Sequence, residues 1–333
     1  TGVSGDKIVF SGIGKTEPEI RQALAAGIHQ INVESAEELE MVAKTARDGG
    51  WTAPVALRVN PDVDAQTHAK ITTGRSENKF GIDFDHAADI YRRAGVLDGV
   101  QPIGFAVHIG SQLMDLAPYR AAYARLADLT RQVRADGGVV DRLDLGGGIG
   151  IAYGDQAAPD LSEFADIVRQ TVLDLGCALT IEPGRSLVGR AGLLISRVLY
   201  DKRGITRRFL ILDAAMNDLI RPAMYEARHR LVPVDQPQNG AAVASYDIVG
   251  PVCESGDTFA KGYELTEAAP GDLYAFQDVG AYGAVMASEY NSRPLVPEVL
   301  VDGGQYSVIR RRPDLAERLA AESIPHWLAG ANE

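Results

Sequence analysis

The chain has 333 residues, 46% hydrophobic and 23% charged, the proportions of a soluble globular protein long enough for two domains or for one barrel with an appendage. A formal charge of -12 argues against nucleic acid or an anionic membrane surface as a partner. No apolar run approaches the roughly 18 residues of a membrane span, and the start carries no signal-peptide pattern. The only cysteines, Cys177 and Cys253, suit a reducing cytoplasm better than a disulfide framework, so a cytoplasmic location is expected.

The first half repeats one unit. Ile8 to Ser11 reads as a strand, and Thr16-Glu17-Pro18-Glu19 is a capping box that opens a helix ending at Gly27. Gln30 to Val33 is the next strand, and Ser35-Ala36-Glu37-Glu38 a second capping box whose helix ends near Gly49-Gly50. Strands follow at Val55 to Val59, Ile103 to Ile109, Leu143 to Leu145 and Ala178 to Glu182. The helices between them run around His86 to Ala94, from about Pro118 to Ala135, and from a Ser162 cap to about Leu175. Strands alternating with helices mean a parallel sheet. Six such units fit a doubly wound sheet, and equally a (β/α)8 TIM-type barrel two units short of closure. From about residue 187 the character changes to short β-rich runs: Leu193 to Tyr200, Phe209 to Asp213, Ala241 to Val249, Asp272 to Phe276 and Val299 to Val301. A short helix is expected over Asp314 to Glu322. The expected division is an α/β domain over 1–186 and a mostly β domain over 187–333. Val232 to Asn239 reads as a loop.

Three first-half strands end in residues that carry chemistry, and in a parallel α/β fold all such ends lie on one face. One runs into His108-Ile109-Gly110-Ser111-Gln112, one into Gly146-Gly147-Gly148-Ile149-Gly150, and one into Glu182-Pro183-Gly184-Arg185. A glycine run leaves backbone N–H groups open to cradle a phosphate, although a plain tight turn needs the same glycines. Glu182 and Arg185 alone are equally a strand-end ion pair without function, and His108 alone a core histidine. In the β half, Arg221 and Tyr225 are one helical turn apart, so both can reach one anion. Cys253 stands beside Glu254 with no base nearby in sequence, which suits a proton donor better than a nucleophile. Tyr282 sits between glycines, and Tyr290 to Pro294 closes the set. His68 and His86 read as surface residues, Arg310 to Arg312 as solvated surface, and no His/Cys/Asp/Glu spacing suggests a metal site.

Taken together and in this order, these segments resemble the bacterial diaminopimelate decarboxylases, members of the fold-type III pyridoxal-phosphate enzymes that include ornithine decarboxylase and alanine racemase. The resemblance covers nearly the whole chain. It implies a TIM-type barrel that holds pyridoxal 5'-phosphate (PLP) at its mouth and a β domain that helps form a head-to-tail homodimer with shared active sites. By position, Glu182 faces the pyridine nitrogen and His108 stacks on the ring. Ser111, Gly146, Gly147, Gly148, Gly184 and Tyr282 hold the phosphate and the cofactor, and Arg185 lies near the phosphate and the substrate carboxylate. Arg221, Tyr225 and Glu254 read the far end of the amino-acid substrate, and Arg185 and Tyr282 also bind it. Cys253, from the partner subunit, returns a proton after CO2 has left. The activity implied is decarboxylation of meso-2,6-diaminopimelate at its D-centre to L-lysine. Arg221 with Tyr225 suits a distal carboxylate, where ornithine decarboxylase-like members need an acid to meet a bare amine.

One family feature is missing. Members carry an Ala-x-Lys-Ala-Asn strand whose lysine holds the cofactor covalently. The lysines of this chain, at 7, 15, 44, 70, 79, 202 and 261, all lie outside such a context. Lys79, in Asn78-Lys79-Phe80-Gly81, matches instead a loop over the active site. The resulting expectation is an N-terminally truncated form, with about six of eight barrel units and inactive by itself. The competing readings are a non-catalytic regulatory relative, a decarboxylase of the ornithine/arginine type, and a phosphate-binding barrel isomerase without PLP.

Overall fold

The computed structural model describes residues 2–64, 79–154, 156–235 and 241–329. They fall into two compact units, residues 1–152 with 156–187, and residues 153–155 with 188–333. In the first unit the elements in chain order are β1 (Val9–Phe10), α1 (Glu17–Ala25), β2 (Gln30–Val33), α2 (Ala36–Gly49), β3 (Ala53–Asn60), β4 (Ile82–Asp83), α3 (Phe84–Val96), β5 (Val100–Ala106), α4 (Ala117–Ala135), β6 (Arg142–Gly147), α5 (Leu161–Thr171), β7 (Ala178–Glu182) and α6 (Gly184–Val188). All strands pair in parallel, in the order β1-β2-β3-β5-β6-β7, with the short β4 added to β3.

Local chemistry explains the helix starts. The Glu19 carboxylate accepts from the Thr16 N–H at 2.8 Å and from its hydroxyl at 2.7 Å, and Ser35 Oγ accepts from the Glu38 N–H at 3.1 Å. The cap of α5 is Asp160 rather than Ser162: Asp160 Oδ1 accepts from the Ser162 N–H at 2.8 Å. A carboxylate two residues upstream competes better for the first orphan donors than the hydroxyl does.

The apolar sides of the helices pack on the sheet through Ile20, Leu39, Val42, Tyr91, Tyr123 and Leu126, against Ile31, Val55, Leu57, Phe105, Leu143 and Leu145. Burying each such side chain contributes about 1.5–3 kcal/mol. The sheet curls strongly. Asn32 Nδ2 of β2 donates to Asp144 Oδ2 of β6 at 2.9 Å, although two strands lie between them. Ser11, just after β1, donates its hydroxyl to Glu182 at the end of β7 at 3.4 Å. Opposite edges that meet across the interior are the geometry of a (β/α) barrel and not of a flat doubly wound sheet.

The second unit is mostly β: β8 (Leu194–Arg203), β9 (Arg208–Leu212), α7 (Arg221–Tyr225), β10 (Leu231–Pro233), β11 (Val243–Val249), β12 (Thr258–Thr266), β13 (Leu273–Phe276), β14 (Glu298–Asp302), β15 (Gln305–Arg310), α8 (Leu315–Leu319) and α9 (His326–Ala329). Six strands form one sheet in the order β10-β13-β8-β9-β11-β12, antiparallel except for β9 with β11, and β14 pairs with β15 as a separate hairpin. Strands β10, β12 and β15 are absent from the sequence reading. In β12, Gly262 lies at φ 60° and donates its N–H to Asp247 Oδ1 at 2.9 Å. The register against β11 shifts nearby, so the alternation that marks a strand is broken. Strand β10 covers the start of the stretch read as a loop, whose residues 236–239 lie outside the described residues, as does His68. His86 is exposed, and no helix among the described residues is long and apolar enough to cross a membrane.

Candidate active site

A pocket of about 330 Å³ opens at the C-terminal ends of the parallel strands of the first unit. Almost every strand contributes to it: Ser11 and Gly12 after β1, Asn32 of β2, Arg58 of β3, Ala106 to His108 at the end of β5, Asp144 of β6 and Glu182 of β7, with Phe80 at the side. Glu182 and His108 thus line one cavity. Lys79 lies over Phe80, its ammonium 5.1 Å from the ring centre.

The floor is polar and tightly wired. Asp144 accepts from Asn32 and, through Oδ1, from the Gly146 N–H at 3.0 Å, while Gln30 Nε2 donates to Asn32 Oδ1 at 2.7 Å. Arg58 pairs with Glu34 at 2.9 Å, both nearly sealed from solvent. Glu182 stands beside Asp144. Desolvation by the surrounding protein, and then the neighbouring Asp144 charge, push its pKa up to about 7. Its outer surface is open to the cavity, so this value belongs to a group that a bound cation would draw back into the ionised state. Burial, with the Arg58 guanidinium adding to it, brings His108 down to about 4. The Gly147 N–H donates to His108 Nδ1 at 3.3 Å. A neutral imidazole with a fixed tautomer results, suited to lie flat on an aromatic cofactor.

The glycine run owes its composition to close approach. A Cβ on Gly146 would lie 2.1 Å from the Val107 carbonyl oxygen, one on Gly147 2.0 Å from that of Glu182, and one on Gly148 2.0 Å from that of Gly110. Gly146 and Gly148 also take φ of 68° and 91°. Two tyrosines of α4 hold the run from behind: Tyr119 donates to the Gly147 carbonyl and Tyr123 to that of Leu145, each at 2.9 Å. Arg185, almost buried, donates from Nη2 to Ser111 Oγ at 3.0 Å. A guanidinium and a hydroxyl gathered at the strand ends can donate to a phosphate, whereas the Gly146 and Gly147 N–H groups are already engaged by Asp144 and His108. Gly184 differs, since a Cβ there would meet nothing within 4 Å. Of the lysines in this unit, Lys15 is committed to the scaffold: its buried Nζ donates to the carbonyls of Gly12 (2.5 Å) and Asn32 (2.7 Å) and to Glu38 (2.6 Å).

In the second unit, Arg221 is buried and Tyr225 half-buried at the two ends of α7, while Cys253, Glu254 and Tyr282 are exposed. Tyr290 hydrogen-bonds Glu254, and that bond with the Glu254 charge raises its pKa above the usual phenol range. The loop carrying Cys253 is tied to the loop before α7 by buried Asp257, whose carboxylate accepts from the Met216 and Val252 N–H groups, each at 2.7 Å. Arg293 donates from Nε to Asn217 Oδ1 at 2.9 Å, and Asn217 Nδ2 donates to the Ser288 carbonyl at 3.1 Å. Three segments singled out in the sequence are thereby joined in one network. Asn32, Arg58 and Asp144 were missed in the sequence, although a polar residue inside an apolar strand was the signal for them. Among the described residues no cluster of His, Cys, Asp and Glu could hold a metal ion.

A barrel with an acid and a neutral histidine lining one pocket at its strand ends is the setting of a cofactor-binding domain. Residues 1–189 match the family profile described as "Pyridoxal-dependent decarboxylase, pyridoxal binding domain". The chain is 44% identical to the diaminopimelate decarboxylase of Zymomonas mobilis, over 98% of this chain and 77% of that protein. It is 48% identical to that of Pseudomonas aeruginosa, over 96% of this chain and 76% of that protein. The crystal structure of the Helicobacter pylori diaminopimelate decarboxylase complexed with L-lysine superposes with a TM-score of 0.92 at 40% identity, covering 96% of this chain and 79% of that one. The chain belongs to the diaminopimelate decarboxylase family of pyridoxal-dependent carboxy-lyases.

Proposed function

We propose that the protein removes CO2 from the D-centre of meso-2,6-diaminopimelate, giving L-lysine in the last step of lysine biosynthesis. The observation that carries this reading is the strand-end pocket lined by both Glu182 and His108, with the hydrogen-bonded Arg185 and Ser111 following them on the same two strand ends. When bound, PLP supplies a conjugated ring that takes up the electron pair released with CO2. Glu182, backed by Asp144, would hold the proton at the ring nitrogen. His108, neutral and anchored by Gly147, would stack on the ring. Arg185, Ser111, Gly184, Tyr282 and the run Gly146 to Gly148 would hold the phosphate and the cofactor. Arg221, Tyr225 and Glu254 bind the distal amine and carboxylate, and Cys253 delivers the proton that replaces CO2. Exposure of Cys253 supports its service to a partner subunit in a homodimer. In this reading residues 1–186 form the cofactor domain and 187–333 the substrate and interface domain, in a cytoplasmic enzyme.

Identity above 40% to diaminopimelate decarboxylases favours this over the ornithine/arginine type, a regulatory relative or an isomerase. The test is CO2 release by the complete protein from meso-diaminopimelate against ornithine and arginine. Preference for ornithine or arginine overturns the distal assignment, and failure to bind PLP overturns the reading as a whole.

A further inference from the structure

Beyond the residues given roles above, the second unit contains a buried group of three side chains around Arg221. The sequence gives no hint of it, because its members are 68 and 8 positions away from that arginine. Arg221 Nη1 lies 2.8 Å from His229 Nε2, and His229 Nδ1 lies 2.9 Å from the Gln277 carbonyl oxygen. The guanidinium carbon sits 4.5 Å from the centre of the Tyr153 ring, and the Tyr153 and His229 rings meet edge to face at 5.2 Å. All three side chains are at least nine-tenths buried.

The chemistry of the partners fixes the protons. A carbonyl oxygen only accepts, so His229 Nδ1 carries a hydrogen. A guanidinium only donates, so His229 Nε2 presents its lone pair. His229 is therefore neutral and in the Nδ1–H tautomer, with each ring nitrogen engaged. Its two supports are rigid. The Gln277 carbonyl is held by strand pairing, since the Gln277 N–H donates to the Arg230 carbonyl at 2.9 Å. The chain also turns back sharply after α7, where Glu226 takes the left-handed conformation at φ 54°, and this turn brings His229 under Arg221. A histidine acceptor at one Nη and an aromatic ring under the guanidinium carbon restrict both the position and the rotation of that group. Bidentate recognition of a carboxylate demands such restriction, and the ring adds a cation–π attraction that does not neutralise the charge. A carboxylate partner in place of His229 would have satisfied the same nitrogen while cancelling the charge needed for an anionic ligand.

We propose that His229 is a positioning residue for substrate specificity: as a neutral Nδ1–H imidazole it locks Arg221 in the plane that receives the distal carboxylate of the substrate, with Tyr153 as the second wall. This rests on the reading of Arg221 as the group that binds that carboxylate. The experiment compares two competitive inhibitors of meso-diaminopimelate decarboxylation by the PLP-loaded complete protein. One is L-lysine, which carries the distal carboxylate; the other is 1,5-diaminopentane, the same chain without it. His229→Leu should weaken L-lysine by about tenfold or more, the loss of a charge-assisted contact, and leave 1,5-diaminopentane within about twofold. His229→Gln, which keeps an acceptor for Arg221, should recover most of the loss. Independently of turnover, ¹⁵N NMR of the wild-type ring should show Nδ1 protonated and Nε2 bare. If both inhibitors weaken together in His229→Leu, or if the ring is the Nε2–H tautomer, the proposal is overturned. Should His229→Leu fail to fold, His229→Gln and the tautomer measurement decide the matter. Arg221→Met separates the two levels. If it leaves the inhibitor ratio unchanged, the reading of Arg221 falls. If it changes the ratio while His229→Leu does not, the role of His229 falls alone.

Discussion

The sharpest consequence of the site geometry concerns one hydrogen atom on Gly147. An alanine there would place its Cβ 2.0 Å from the Glu182 carbonyl oxygen and 2.9 Å from the Glu182 carbonyl carbon. Side-chain carbons do not approach backbone oxygens closer than roughly 3 Å, so β6 and β7 must separate locally by about 1 Å. The obstacle is backbone, and no rotamer can relieve it. We therefore expect Gly147→Ala to cost toward the upper end of the usual 1–3 kcal/mol for overpacking, which lowers Tm by roughly 6–12 °C at about 2–4 °C per kcal/mol for a unit of this size. The functional loss should exceed the stability loss, because the displaced atoms belong to the site: Gly147 also donates its N–H to His108, and the strand that must yield carries Glu182. A misplacement of about 1 Å at catalytic groups lowers turnover by roughly a hundredfold. Thermal melts, PLP fluorescence titration and CO2 release measured on the complete protein form the assay. Gly184→Ala is the internal control, since its Cβ would enter open space and should leave Tm level or slightly raised. If Gly147→Ala melts lower yet binds PLP and turns over like the wild type, the glycine run is a packing device and not part of the cofactor cradle. If it melts unchanged, the close approach itself is wrong.

Other expectations follow from buried polar groups. Lys15→Met strands the Glu38 carboxylate and two carbonyls inside the first unit and should cost about 3–5 kcal/mol in urea unfolding; a loss below about 1 kcal/mol would mean that the contacts do not persist in solution. The two shifted groups in the pocket oppose each other with pH. Glu182, raised from 4.5 to about 7 in the folded chain, contributes stability that is present below pH 4.5 and lost as pH rises to about 7. His108, lowered from 6.5 to about 4, contributes stability that is present above pH 6.5 and lost as pH falls to about 4. Removing one should unmask the other. Glu182→Gln should lose about 3 kcal/mol of the stability of the PLP-free chain between pH 6.5 and 4, at about 1.4 kcal/mol per pH unit, whereas His108→Gln should lose stability on going from pH 4.5 to 7. Identical pH profiles for the two variants would contradict the assignment. Asp257→Asn keeps one acceptor where two N–H groups converge. It should cost about 2 kcal/mol and speed alkylation of Cys253, and an unchanged alkylation rate would show that the Asp257 tie does not order that loop.

How much of this was legible in the sequence depended on whether its cause was local. The Thr16–Glu19 capping box, the Ser35 cap (without the reciprocal Glu38 bond that a full box needs), the parallel strands from Gln30 to Val33 and from Ala178 to Glu182, and the barrel-end motifs rest on neighbours within a few residues, so pattern located them. The cap of α5 was misplaced from Asp160 to Ser162 because two capping residue types stand two positions apart and only geometry chooses between them. Strand β12 was missed because Gly262 answers to Asp247 across the sheet. The first-unit motifs around His108, Gly147 and Glu182 were recognisable only as a set, and their coupling was not legible at all: the hydrogen bond from Gly147 to His108 spans 39 residues, and Asp144 reaches Asn32 across 112. Residues such as Asn32, Asp144 and His229 carry no motif because they work on other side chains and not on a ligand. Strand periodicity marks Asn32 and Asp144 as anomalies, polar residues inside apolar strands where burial without partners would cost several kcal/mol each. An anomaly of that kind implies a partner somewhere in the fold. Only the curl of the sheet, which carries β2 across to β6, says which partner it is.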